Sequence, residues 1–186
     1  EIVQKVGAVN TLKFGRHLRG INTDVPAIVS IVSHLTVGNA LVIGAGGASL
    51  AACYALLMEG WKVRIYNRNQ EKAKQVVERF RDMPGTVELT EEPSAAGCNL
   101  LINATPVGLS GDEIPPVNLD TIEPQTTIFD MAYRSAPTSL VRWALEKGYP
   151  AIDGKEMLVE QGALSFEWWL GVPAPREVMR EAVGLS

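Results

Sequence analysis

Cysteines are few, and a basic surplus and long apolar runs are lacking, in this chain of 186 residues. Its two cysteines, Cys53 and Cys98, have no second thiol nearby, which excludes a CxxC redox pair or a thiolate metal cluster. No metal is therefore expected, and a reducing cytoplasm fits best. A formal net charge of -4 with mixed signs provides no basic stripe for duplex DNA, so nucleic acid is a poor default partner. No stretch approaches the ~20 apolar residues of a membrane span, so no membrane partner is expected. The opening EIVQKVGAVN lacks both an initiating Met and the features of a signal peptide, and the chain reads as an excised piece. Internal repeats and low-complexity tracts are absent too.

What is present is a globular composition, 46% hydrophobic and 20% charged, enough for one sizeable core. Ala40 to Ile43 reads as a buried strand, Ala48 to Glu59 as a helix closed by Gly60, and Lys62 to Tyr66 as the next strand. This strand, glycine turn, helix and strand fill about 30 residues, the length of one parallel βαβ unit. Gln70 to Arg81 continues as a helix, then Thr86 to Leu89, Leu100 to Asn103 and Thr127 to Met131 as strands. Such alternation predicts an α/β fold, a Rossmann-like parallel sheet with helices on both faces. Downstream, Ser139 to Lys147, Met157 to Leu170 and Arg176 to Val183 have helical spacing, with a short strand at Tyr149 to Ile152. Upstream, Ala8 to Phe14 and Leu18 to Asn22 resemble short strands, followed by a helix starting at Pro26.

Chemistry concentrates at the glycine turn, Gly44-Ala45-Gly46-Gly47-Ala48-Ser49. Placed between a strand and a helix, such a turn lets a diphosphate approach the backbone while the helix N-terminus offers free N–H groups. Ser49 takes the third glycine's place. An NAD site ends its second strand with an acid about 20 residues beyond the glycines, to bond the ribose 2′-hydroxyl. Here Asn67 and Arg68 hold that place, with Lys72 one turn on. A carboxylate would repel a 2′-phosphate, whereas a guanidinium bonds it and an ammonium adds charge, so the expected cofactor is NADP. The bland alternative is that both cations solvate a helix start.

The stretches VGAVNTL, GINTD, LLINATPVGL, DMAYRSAPTSL and DGKEMLVEQGALSFEWWLG, in that order around the glycine turn, resemble the shikimate dehydrogenase family, quinate/shikimate members included, over nearly the whole chain. The resemblance implies NADP-dependent interconversion of 3-dehydroshikimate and shikimate, or of the quinate pair, on a small-molecule substrate. It implies that residues 1–24 end a truncated N-terminal substrate domain, that 25–170 form the NADP domain, and that 171–186 form a helix returning to the substrate domain. The family's proton-relay lysine is then expected upstream of Glu1.

By the same resemblance Asp24 contacts substrate and partners that lysine in catalysis, while Asn10, Tyr133 and Gln161 bind substrate. Ala104 and Thr105 pass the cofactor, Met131 also binds it, and Gly154 and Met157 are expected in its nicotinamide pocket. A plain reading makes Asp24 an N-cap for a helix beginning at Pro26. Gln161 shares a helix face with Leu158, Leu164 and Trp168, where a buried amide needs partners. Departures from the family pattern are Leu50 for an arginine, Val25-Pro26-Ala27 where a glycine is common, and Asn69 for a threonine. A non-catalytic domain like that of fungal quinate-pathway repressors is the alternative function, and a Rossmann oxidoreductase with another substrate is a third.

Overall fold

The computed structural model describes residues 2–185, so Glu1 and Ser186, at the outer edges of the first and last expected segments, lie outside the described residues. A short helix α1 (Ile2–Val6) leads into a hairpin of β1 (Thr11–Lys13) and β2 (Arg19–Ile21), antiparallel to each other. After α2 (Asp24–Val32) come β3 (Asn39–Ile43), α3 (Gly47–Met58), β4 (Lys62–Tyr66), α4 (Gln70–Phe80), β5 (Thr86–Leu89), β6 (Leu100–Asn103) and β7 (Thr127–Asp130). The chain ends with α5 (Ser139–Glu146), β8 (Ala151–Ile152), α6 (Gly154–Leu170) and α7 (Arg176–Ala182).

Six strands form one parallel sheet in the order β5-β4-β3-β6-β7-β8. Chain order reverses between β3 and β6, which opens a crevice at the strands' C-terminal ends. Burial explains the sequence pattern. β6 and β7 are buried at every position, and within β3 Ala40 and Val42 face one apolar core while Leu41 and Ile43 face the other. Near-continuous apolar runs follow from covering a parallel sheet on both sides. Helix α3 lies in the first core, with Ala51 through Leu57 all buried. Burial there pushes the Cys53 thiol up to about 12, so it stays an unreactive packing group.

Several boundaries differ from expectation for local reasons. The upstream strands shrink to Thr11–Lys13 and Arg19–Ile21, leaving Phe14 and Leu18 exposed around the hairpin loop. Helix α2 begins at Asp24, before Pro26, because Asn22 Oδ1 accepts the Val25 N–H at 3.0 Å and Thr23 occupies the cap position. Asp24 is therefore no N-cap, and its carboxylate is left for other work. Helix α6 starts three residues before Met157, at Gly154, because the Asp153 side chain caps it by accepting from the Lys155 N–H. Helix α7 lies on α6, held by Arg176 to Glu160 and Glu167 and by Arg180 to Glu156.

Candidate functional site

Gly44 follows β3 with φ +116, and a Cβ there would lie 2.7 Å from Ser49 Oγ and 2.9 Å from the Ala104 carbonyl. Only glycine fits this turn. Ser49 is buried, its Oγ donating to that same carbonyl at 3.4 Å, so the residue in the third glycine's place ties the turn to the loop after β6. Gly46 contrasts with Gly44: it caps α3 in an extended conformation, offers no side-chain cap, and a Cβ on it would meet nothing within 4 Å. The first turn of α3 is thus open to solvent at Gly46 and Gly47, with Ala45 and Ala48 half-buried beside them. Backbone N–H groups at such an end attract phosphate oxygens.

Across the turn, after β4, the local fold is set by amides. Asn69 Oδ1 accepts the Lys72 N–H as the N-cap of α4, so asparagine performs the capping a threonine would. Asn67 Nδ2 donates to the Asn69 carbonyl, and Gln70 Nε2 to the Asn67 carbonyl. Arg68 and Lys72 are exposed and have no acidic partner among the described residues. A cavity of about 270 Å³ is lined by Ala45, Gly46, Asn67, Arg68, Asn69 and Lys72, placing the cations and the glycine turn on one space. A neighbouring cavity of about 380 Å³ runs from Gly44 and Arg68 to Thr105, Val107 and Ile114, with a mainly apolar lining. The first would take phosphate groups, and the second a flat base and its sugar. A dinucleotide carrying an extra phosphate fits the residues present.

Sequence reasoning missed the polar knot beneath this crevice. Asn103 and Asp130, the last residues of β6 and β7 and partners in register, are both fully buried. Asn103 Nδ2 donates to Asp130 Oδ1 (2.7 Å) and to the Val107 carbonyl (3.2 Å), while its Oδ1 accepts from the Thr105 N–H and hydroxyl. Asp130 also accepts from the Ala132 N–H (3.0 Å) and the Thr138 hydroxyl (2.6 Å). Burial raises the Asp130 carboxyl above the usual carboxylate range, against the lowering by the Thr138, Asn103 and Ala132 hydrogen bonds. Two loops, Ala104 to Val107 and Met131 to Thr138, are thereby wrapped around one pair of side chains. A polar residue closing each of two apolar runs was the available signal.

Of the other expected cofactor residues, Met131 is half-buried and Met157 buried in the first core. Gly154 is pressed onto the chain after β7, where a Cβ would collide with the Ala132 carbonyl. On the substrate side, Asn10 Nδ2 donates to Asp24 Oδ1 at 2.8 Å, bringing that expected pair together. Burial raises the Asp24 carboxyl, opposed by the Asn10 hydrogen bond. Gln161 is half-buried, not buried, and its amide donates to the Leu158 carbonyl of its own helix. Tyr133 is 41% exposed. The tryptophans pack against the hairpin: Trp169 Nε1 donates to the Leu12 carbonyl, and Arg19 lies 5.6 Å from the Trp168 ring centre. Among the described residues no cluster of His, Cys, Asp or Glu could hold a metal, and no helix is long and apolar enough to cross a membrane.

The reversed strand order, the open glycine turn and the crevice between β3 and β6 define a Rossmann-type dinucleotide-binding domain. Comparison with known proteins narrows the class. Residues 27–106 match the family model described as shikimate / quinate 5-dehydrogenase, and residues 154–183 the shikimate 5′-dehydrogenase C-terminal domain. A Halobacterium salinarum protein named shikimate dehydrogenase (NADP(+)) is 40% identical over 186 residues, covering 96% of this chain and 69% of the relative. Shikimate 5-dehydrogenase from Thermus thermophilus, solved with NADP(H) and shikimate, superposes with a TM-score of 0.88 at 33% identity, over 98% of this chain and 69% of that one. The 5-ketofructose reductase of a Gluconobacter strain also reaches 0.88, at 28% identity over 98% and 70% of the two chains. The chain belongs to the shikimate dehydrogenase family, a family of oxidoreductases.

Proposed function

We propose that this chain is the NADP-binding part of a cytoplasmic dehydrogenase that interconverts 3-dehydroshikimate and shikimate, with the quinate pair as the related substrate. The observation that carries the reading is the pair of unpaired cations, Arg68 and Lys72, on the same cavity as the open Gly46 turn. Gly44 to Ser49 would hold the diphosphate, Asn67, Arg68 and Lys72 the 2′-phosphate, and Ala104, Thr105, Met131, Gly154 and Met157 the path toward the nicotinamide. NADP, when bound, supplies the acceptor for the hydride leaving the substrate's alcohol carbon. Asn10, Tyr133 and Gln161 orient the polyhydroxy acid, and Asp24 takes part in moving the hydroxyl proton. The partly buried Asp24 carboxyl, raised in pKa, suits proton exchange.

In this reading residues 1–24 complete a substrate domain, 25–170 carry the cofactor, and 171–186 bridge the two. In the same reading the proton-relay lysine is supplied from outside these 186 residues. The 186 residues alone should bind NADP yet turn over poorly. Mixing the chain with NADP+ and either shikimate or quinate tests this: negligible NADPH formation is expected, and robust reduction without any added domain would contradict it. The overlap with 5-ketofructose reductase favours a second substrate reading, which the same assay with a ketose decides. Leu50, half-buried beside Ala45, Lys72 and Arg79, leaves the turn without the arginine of the family pattern and favours a third, a ligand-sensing domain.

A further inference from the structure

Three hydroxyls from distant parts of the chain meet behind the substrate-side residues. Thr11 on β1, Thr23 at the cap of α2 and Ser165 on α6 are all buried, within 5% exposure. Ser165 Oγ lies 2.7 Å from Thr11 Oγ1 and 3.1 Å from Thr23 Oγ1, and donates to the Gln161 carbonyl one turn earlier, at 2.8 Å. With its only proton given to that carbonyl, Ser165 accepts from Thr23 and from Thr11, whose single proton is shared between Ser165 Oγ and Asn10 Oδ1, 3.1 Å away. Thr23 Oγ1 then accepts from Asn10 Nδ2 at 2.9 Å, and Asn10's second N–H goes to Asp24 at 2.8 Å. Asn10 Oδ1 accepts the Thr23 N–H at 2.9 Å. Turning the amide over would set its oxygen against a carboxylate and its N–H groups against another N–H, so its orientation is fixed. Both Asn10 donors are committed inside the protein, although the residue is exposed.

We propose that the Thr11–Ser165–Thr23 cluster is a positioning lock, in which Ser165 and Thr23 act through the Asn10 amide to hold Asp24 and the Gln161 turn of α6 as one unit. The functional meaning rests on the substrate reading above, but the lock is testable without it. Thr23 makes no side-chain cap bond to α2, so T23V removes a hydroxyl at constant shape without uncapping the helix. Exchange of the two Asn10 side-chain amide protons, followed by NMR on the full 186-residue chain, is the readout.

In T23V the proton facing residue 23 should exchange about fivefold faster, while T23S, which keeps the hydroxyl, should match the unsubstituted chain. S165A, which only deletes one oxygen, should shift the same resonance in the same direction by a smaller factor. Unchanged exchange in both T23V and S165A, or equal acceleration in T23V and T23S, would overturn the proposal. A response to T23V alone would remove α6 from the lock and overturn the coupling to Gln161. Adding shikimate to the unsubstituted chain separates the two ideas: if it moves other resonances while those of Asn10, Asp24 and Gln161 stay put, the substrate reading fails while the exchange rates still decide the lock.

Discussion

The crevice has two walls that treat polar groups in opposite ways. Around β3 and β4 the glycine turn is uncapped and Arg68 and Lys72 stand without acidic partners among the described residues. Around β6 and β7 the polar atoms of Asn103 and Asp130 are engaged and solvent is excluded. Leaving donors and charges unpaired at a surface costs little while water is present and leaves them available to a ligand. An unpaired group in the core would cost much more. In the proposed function the first wall is a receptor and the second a frame, and each half of that contrast can be broken separately.

The largest effect is expected on the frame. Asp130→Ala removes the acceptor of three donors and should destabilise the fold by about 3 kcal/mol in urea denaturation. Asp130→Asn should cost about 1 kcal/mol or less: its oxygen can serve Asn103 and Ala132 while its N–H group donates to a reversed Thr138 hydroxyl. Equal losses would mean that the charge, rather than the hydrogen-bond geometry, holds the loops.

Next come the glycines. Gly44→Ala, forced to a positive φ and onto the Ala104 carbonyl, should cost about 2 kcal/mol. Gly46→Ala, with open space before it, should leave stability within about 0.5 kcal/mol yet weaken NADPH binding about tenfold, read by calorimetry. A loss of the same size is expected from removing Arg68 and Lys72 together: about tenfold weaker NADPH binding, with NADH unaffected.

The smallest effect is a pH trend. Burial holds the Asp130 carboxyl above its unfolded value, so the folded state binds the proton more tightly than the unfolded chain. That contribution is fully present below the unfolded value and is lost as pH rises through the raised folded value. Denaturation across acid pH should show the unsubstituted chain losing stability relative to Asp130→Asn as pH increases. The opposite slope would show that the hydrogen bonds outweigh burial.

The receptor wall was legible in the sequence because its parts are local: a glycine turn between strand and helix, and cations closing the next strand. The frame was not, since Asn103 and Asp130 become neighbours only when β6 pairs with β7 in that register. The hydroxyl cluster was hidden more deeply, as Thr11 and Ser165 are separated by 154 positions. Helix α2 was placed too late because proline is favoured in a first turn, yet Asn22 starts the helix before Pro26 is reached. Strand identities survived because burial on both faces writes an apolar run that local sequence reveals. Loop geometry, set by pairing between strands, leaves no such trace.

The most direct test of the receptor wall is a calorimetric titration of the intact 186-residue chain with NADPH and with NADH under the same ionic strength. The account predicts at least about tenfold tighter binding of NADPH, with the advantage shrinking as salt is added. Equal affinities would contradict it, because Arg68 and Lys72 would then have no phosphate to hold.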